Sequence, residues 1–93
     1  MKERRIIRFH GWVQGVGFRF TVERIVGRFP GITGQVYNED LHVTLDVEGP
    51  AAELNAFVAE IFAHPPRYAR IESAETLTAP PVGHRGFRIG STR

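Results

Sequence analysis

Gly11-Trp12-Val13-Gln14-Gly15-Val16-Gly17-Phe18-Arg19 separates two apolar patterns of different period. Before it, Ile6, Ile7 and Phe9 form an extended apolar run. After it, Val22, Ile25, Val26 and Phe29 recur at i, i+3, i+4 and i+7. The first pattern reads as a strand over residues 4–10 and the second as a helix over 18–29. A strand, a glycine-punctuated turn and a helix in that order collect backbone N–H groups at the positive end of a helix macrodipole. Arg19 adds a planar, permanently charged fork at the rim. The stretch suits a small phosphate-bearing ligand.

Outward from this stretch, Pro30-Gly31 stops the helix, and Gly27 within it serves either close packing on a sheet or nothing in particular. A short strand centres on Gln35-Val36-Tyr37, and Asn38-Glu39-Asp40 makes a turn. Residues 41–47 alternate, with Leu41, Val43, Leu45 and Val47 on one side and His42, Thr44 and Asp46 on the other. This is the pattern of a half-buried strand paired as a hairpin with its predecessor. Pro50 suits a first helical turn, and Leu54, Phe57, Val58, Ile61 and Phe62 mark a helix over 50–63 that His64-Pro65-Pro66 ends. A strand near 69–77, a loop at Ala79-Pro80-Pro81 and a short strand over 85–89 close the chain. Phe29, Phe57 and Phe62 are expected in the core.

The order strand, helix, strand, strand, helix, strand predicts an α+β ferredoxin-like βαββαβ plait. Two right-handed crossovers place both helices on one face of a mostly antiparallel sheet, with a short extra C-terminal strand. Residues 1–93 are expected to form a single domain. The apolar fraction of 42% against 24% charged residues is that of a folded chain. No apolar run is long enough to span a membrane and no signal-peptide pattern opens the chain, so a cytoplasmic location and no membrane partner are expected. With no cysteine, thiol catalysis and thiolate metal sites are excluded. Twelve basic residues, of which only Lys2 is lysine, face ten acids, for a net charge of +2. They are scattered along the chain, as on a solvated surface, and no nucleic-acid partner is expected. His10, His42, His64 and His84 lack i, i+3 or i, i+4 spacing, so neither a metal nor another cofactor is expected.

Gly11, Val13-Gln14-Gly15-Val16, Phe18 and Arg19 together resemble the signature loop of the acylphosphatase family. The similarity continues through Gly31-Ile32-Thr33-Gly34, Val36, Asn38, Val43, Glu48-Gly49, Pro65-Pro66, Ala69-Arg70-Ile71 and Phe87-Arg88-Ile89, essentially the whole chain. Gln35 stands where the family usually has an aromatic, Leu41 where it prefers glycine, and Pro30 adds a residue. The turn after Asn38 is one residue shorter than usual. The resemblance implies hydrolysis of the carboxyl–phosphate bond of a small acyl phosphate by a monomer, with inorganic phosphate as product or inhibitor. It further implies that Arg19 binds the phosphate within a backbone cradle formed by Gln14, Gly15, Val16, Gly17, Phe18 and Arg19, and that Asn38 holds the attacking water. Similar modules open the larger carbamoyltransferases that mature hydrogenases, which gives a non-catalytic or carbamoyl-phosphate-handling domain as the alternative. A chain complete at 93 residues favours the stand-alone enzyme.

The residue chemistry agrees. An acyl phosphate expels a carboxylate whose conjugate acid has a pKa near 4, so no general acid is needed at neutral pH. Charge spreading over the phosphoryl oxygens is met by N–H donors and a bidentate arginine. Trp12 reads equally as a flank for the acyl group and as an exposed aromatic at a strand end.

Overall fold

The computed structural model describes residues 2–91. Its elements are β1 (Lys2–Trp12), α1 (Phe18–Val26), β2 (Thr33–Glu39), β3 (His42–Pro50), α2 (Ala51–Ala63), β4 (Arg70–Ala79) and β5 (Phe87–Ile89). The sheet order is β4-β1-β3-β2-β5, antiparallel except where β5 runs parallel to β2. This is the expected plait, with the extra strand added at the β2 edge.

Register decides which side chains meet the helices. Ile7 pairs with Leu45, Phe9 with Val43 and Val36 with Leu45. These residues lie on one face with Val22, Ile25, Leu54, Phe57 and Ile61 from the two helices, all 2% exposed or less. Burying each such side chain contributes about 1.5–3 kcal/mol over leaving it in water. Phe9 sits under Phe18 at 5.2 Å between ring centroids, and Phe29 under Phe57 at 5.7 Å. Phe62 is a partial exception to the expected core: it stacks on Phe9 at 5.6 Å but stays 46% exposed. At nine residues, α1 is too short to persist alone. Packing through Phe18, Val22, Ile25 and Val26 holds it.

Strand boundaries shift by up to three residues from expectation, and four differences carry consequences. α1 stops at Val26 rather than Phe29, because Arg28 and Phe29 donate to the carbonyls of Ile25 and Val26, a tightened i→i+3 pattern. Phe29 still reaches the core from this turn. β2 continues through Asn38 and Glu39, which pair with Val43 and His42. The turn is therefore Asp40-Leu41, and Asn38 sits in a strand rather than at a turn. Leu41 leaves the apolar face of β3 and is 86% exposed at the turn tip. Pro50 precedes α2 with extended geometry (φ −62°, ψ 140°), as its N-cap.

The largest departure concerns β3, which is buried on both faces. Thr44, Asp46 and Glu48 on the side away from the helices are each 6% exposed or less. A strap formed by residues 80–86 engages Asp46 and Glu48. Glu48 accepts from the backbone N–H groups of Val82 (2.7 Å) and Gly83 (3.1 Å). Asp46 takes Nε and Nη2 of Arg4 at 2.9 Å each and lies 3.2 Å from Nε2 of His84. Burial pushes both carboxyls up, but donors outweigh it. Arg4 and then His84 hold Asp46 below its ordinary value, and the N–H groups of residues 82–84 do the same for Glu48. Alternation of apolar and polar residues could not reveal that the polar side is itself covered.

Candidate functional site

β1 ends at Trp12 and α1 begins at Phe18, so five residues make the turn between them. Gly15 (φ 73°) and Gly17 (φ 80°) carry it through left-handed backbone, where a Cβ would be strained although it would touch nothing. Gly17 is the N-cap of α1 and no side chain caps the helix. The first helical bond runs from Thr21 N–H to the Gly17 carbonyl at 3.0 Å. The N–H groups of Phe18, Arg19 and Phe20 thus precede the ladder and remain available to an anion.

A cleft of about 250 Å³ opens at this turn, lined by Val13, Gly15, Gly17, Phe18, Arg19, Phe20 and Asn38. The structure thus brings Asn38, 19 positions beyond Arg19 in the chain, to the same cleft as Gly15, Gly17, Phe18 and Arg19. Asn38 is 6% exposed, on the helix-side face of β2 opposite Val43. Arg19 is half-buried and donates Nη1 to the Gly90 carbonyl at 2.7 Å. Gly90 in turn donates its N–H to Val36 at 2.7 Å. Val16 packs partly against the core instead of lining the cleft.

Gln14 lies in the turn but its side chain points elsewhere: Nε2 donates to the carbonyls of Asp40 and His42, both at 2.9 Å. Trp12 is 71% exposed and is not among the residues lining the cleft. Phe20 and Gly90 belong to the site without having been picked out from the sequence, and Val13, quoted there as part of the loop but given no role, lines the cleft. Phe20 follows Arg19 directly and offered a signal of position. Gly90 offered none, since its contact depends on β5 lying beside β2.

A larger hollow, of about 550 Å³, lies among Arg24, Ile25, Arg28 and His64. Its size does not make it the better anion site. Arg28 is paired with Glu60 at 3.1 Å, His64 Nε2 lies 3.8 Å from the same carboxylate, and the C-terminal, negative end of α1 lies here. The smaller cleft has the donors.

The family model named Acylphosphatase matches residues 5–89. An acylphosphatase of Clostridium acetobutylicum is 45% identical over 62 residues, covering 66% of this chain and 67% of that protein. Among solved structures, the acylphosphatase from Bacillus subtilis superposes with a TM-score of 0.83 at 30% identity, covering 97% of this chain and 99% of that one. Full-length HypF in its phosphate- and nucleotide-bound form gives a TM-score of 0.92 at 32% identity. There 99% of this chain is covered but only 12% of HypF. The match of the family model from one end of the sheet to the other, on a plait with an N–H-rich turn beside an arginine, shows that the chain belongs to the acylphosphatase family.

Proposed function

We propose that the chain hydrolyses the carboxyl–phosphate bond of small acyl phosphates, yielding a carboxylate and inorganic phosphate. The observation that carries this reading is the convergence of Arg19, Asn38 and the Gly15–Phe18 turn on one cleft. The backbone N–H groups from Gln14 to Arg19 and the guanidinium of Arg19 receive the phosphoryl oxygens, where negative charge is spread in the transition state. Gly90 occupies one Nη1 donor, which leaves the rest of the fork for the substrate. Asn38 accepts from a water and donates toward the phosphoryl group, orienting the water for in-line attack at phosphorus. The bond from phosphorus to the water oxygen forms as the bond to the acyl oxygen breaks. The leaving carboxylate keeps the electron pair, and the water's proton passes to a phosphate oxygen.

Release of phosphate from benzoyl phosphate by the wild type, Arg19→Ala and Asn38→Ala tests this. Each substitution is expected to lower kcat by about 10²–10³-fold, the usual cost of one positioned donor. Competitive inhibition by inorganic phosphate should disappear in Arg19→Ala. Equal activity in all three proteins overturns the mechanism.

The close superposition on HypF over 99% of this chain favours a second reading, a domain that handles carbamoyl phosphate within a larger protein. The same cradle would take that phosphate. Hydrolysis of carbamoyl phosphate with a kcat/KM well above that for acetyl and benzoyl phosphate would select it.

A further inference from the structure

The Gln14 side chain spans from the phosphate turn to the β2–β3 turn, and the role assigned to it so far uses only its backbone. Its amide nitrogen has two hydrogens, and the structure gives both an acceptor: the carbonyls of Asp40 and His42, which flank Leu41. The reverse amide orientation would set the side-chain oxygen against two carbonyl oxygens, so the assignment of nitrogen and oxygen is fixed by chemistry.

The turn that receives these bonds needs a restraint. Asp40, at φ 51°, is the one non-glycine among the described residues with positive φ, in the region that costs side-chain-bearing residues about 1–2 kcal/mol. Leu41 projects into solvent and contributes no packing. On the other side of the sheet Glu39 is engaged by Thr44 Oγ1 at 3.2 Å, which braces the strand ends but not the tip. Asn38 lies two residues before Asp40. The end of β2 is thus tied to the phosphate turn by Gln14 across a single side chain.

We infer that the Gln14 side chain is a positioning residue. By clamping the Asp40-Leu41 turn to the phosphate turn it sets the distance between the anion cradle and Asn38, and therefore where the attacking water sits. This rests on the acylphosphatase reading. The clamp belongs to the catalytic step rather than to phosphate binding, because the cradle's own N–H groups are unchanged when only the Gln14 side chain is altered.

Gln14→Met keeps the length and removes both donors; Gln14→Glu keeps the shape and turns an acceptor-only carboxylate toward two carbonyls. Gln14→Met is expected to lower kcat for benzoyl phosphate on the order of 10–10²-fold, the scale of an ångström of misplacement, with Gln14→Glu lower still. The inhibition constant of inorganic phosphate should stay within about twofold if binding and positioning are separate. In an Asn38→Ala background, Gln14→Met should have almost no further effect, since there is no positioned water left to misplace. Wild-type kcat in Gln14→Met, or an equal loss in the Asn38→Ala background, overturns the inference. Amide hydrogen exchange gives a readout independent of catalysis. Gln14→Met should accelerate exchange at residues 40–42 and leave Val36 and Leu45 protected, and unchanged exchange at the turn overturns the clamp. A wild type with no phosphatase activity but with this exchange pattern would retire the proposed reaction while leaving the clamp in place.

Discussion

Arg19 is presented to the cleft already constrained. Its helix starts at Phe18, its side chain is half-buried, and Nη1 is held at 2.7 Å by the carbonyl of Gly90. A guanidinium has five donors in one plane, so spending one on the protein fixes the plane without exhausting the fork. A lysine reaching to the same place carries the charge on one atom and must divide itself between Gly90 and a phosphate oxygen. Under the proposed function, Arg19→Lys is therefore expected to lose on the order of 10²-fold in kcat/KM, although the net charge is unchanged. Steady-state kinetics with benzoyl phosphate at fixed ionic strength checks this, and a lysine variant within about threefold of wild type would show that charge alone suffices. The arginine and the turn before it were legible in the sequence because they are contiguous, and local spacing constrains them directly. The partner of that arginine was not, because Gly90 reaches it only through the parallel pairing of Gly34 with Phe87 and Val36 with Ile89.

The elements followed from periodicity wherever one face was apolar and the other polar. α2 ends at Ala63 as its 3.6-residue pattern predicts, and the core face of β1 and β3 is the one that alternation selects. Periodicity misplaced the elements where hydrogen bonding decided the outcome instead. Phe29 continues the apolar spacing of α1, yet the backbone has already tightened after Val26, so the residue packs from a turn. Asn38 is a residue type common in turns, yet ladder pairing carries it inside β2, a more rigid place for the side chain that holds the water under the proposed function. Gly27 shows what this leaves open to improvement. It has right-handed helical geometry (φ −58°, ψ −20°) and is exposed. A Cβ there would meet only the Arg24 carbonyl three residues back, at 3.3 Å. Its glycine therefore serves no close packing against the sheet. Gly27→Ala reduces the freedom of the unfolded chain and is expected to stabilise by about 0.5–1 kcal/mol. That corresponds to a rise in Tm of roughly 2–8 °C for a domain of this size. A fall in Tm would mean that the Arg24 carbonyl cannot yield the few tenths of an ångström required.

On the scale of the whole molecule, β3 joins two interiors of opposite chemistry. One is apolar and lies beneath the helices; the other is a set of charges beneath the 80–86 strap. The second interior was hidden from sequence reading because its members, Arg4, Asp46, Glu48 and His84, come from three separate stretches and look like solvated surface one at a time. It makes the fold sensitive to acid in a defined direction. Asp46 and Glu48 are both held below the ordinary values of 3.8 and 4.5, so the unfolded chain takes up protons more readily than the folded one as the pH drops. Their contribution is complete above those ordinary values and is lost as the pH falls below them through the lower values of the folded state. In urea unfolding, the share of stability that these two carboxyls supply should therefore be level down to about pH 5 and decline steeply beneath it. Glu48→Gln separates the strap from the rest of the acid response. At pH 7 it should cost about 1–3 kcal/mol, because the charged acceptor shared by Val82 and Gly83 is replaced by an amide that can satisfy only one of them. Below the ordinary value of 4.5 the gap between this variant and the wild type should narrow, since proton uptake by Glu48 in the unfolded wild type then offsets what its buried charge contributes. The difference between the two curves, rather than either curve alone, isolates what this one buried carboxylate contributes. A gap that stays constant from pH 7 to pH 3 would assign the acid response to Asp46 and Arg4 and leave the strap's anchor without a part in it.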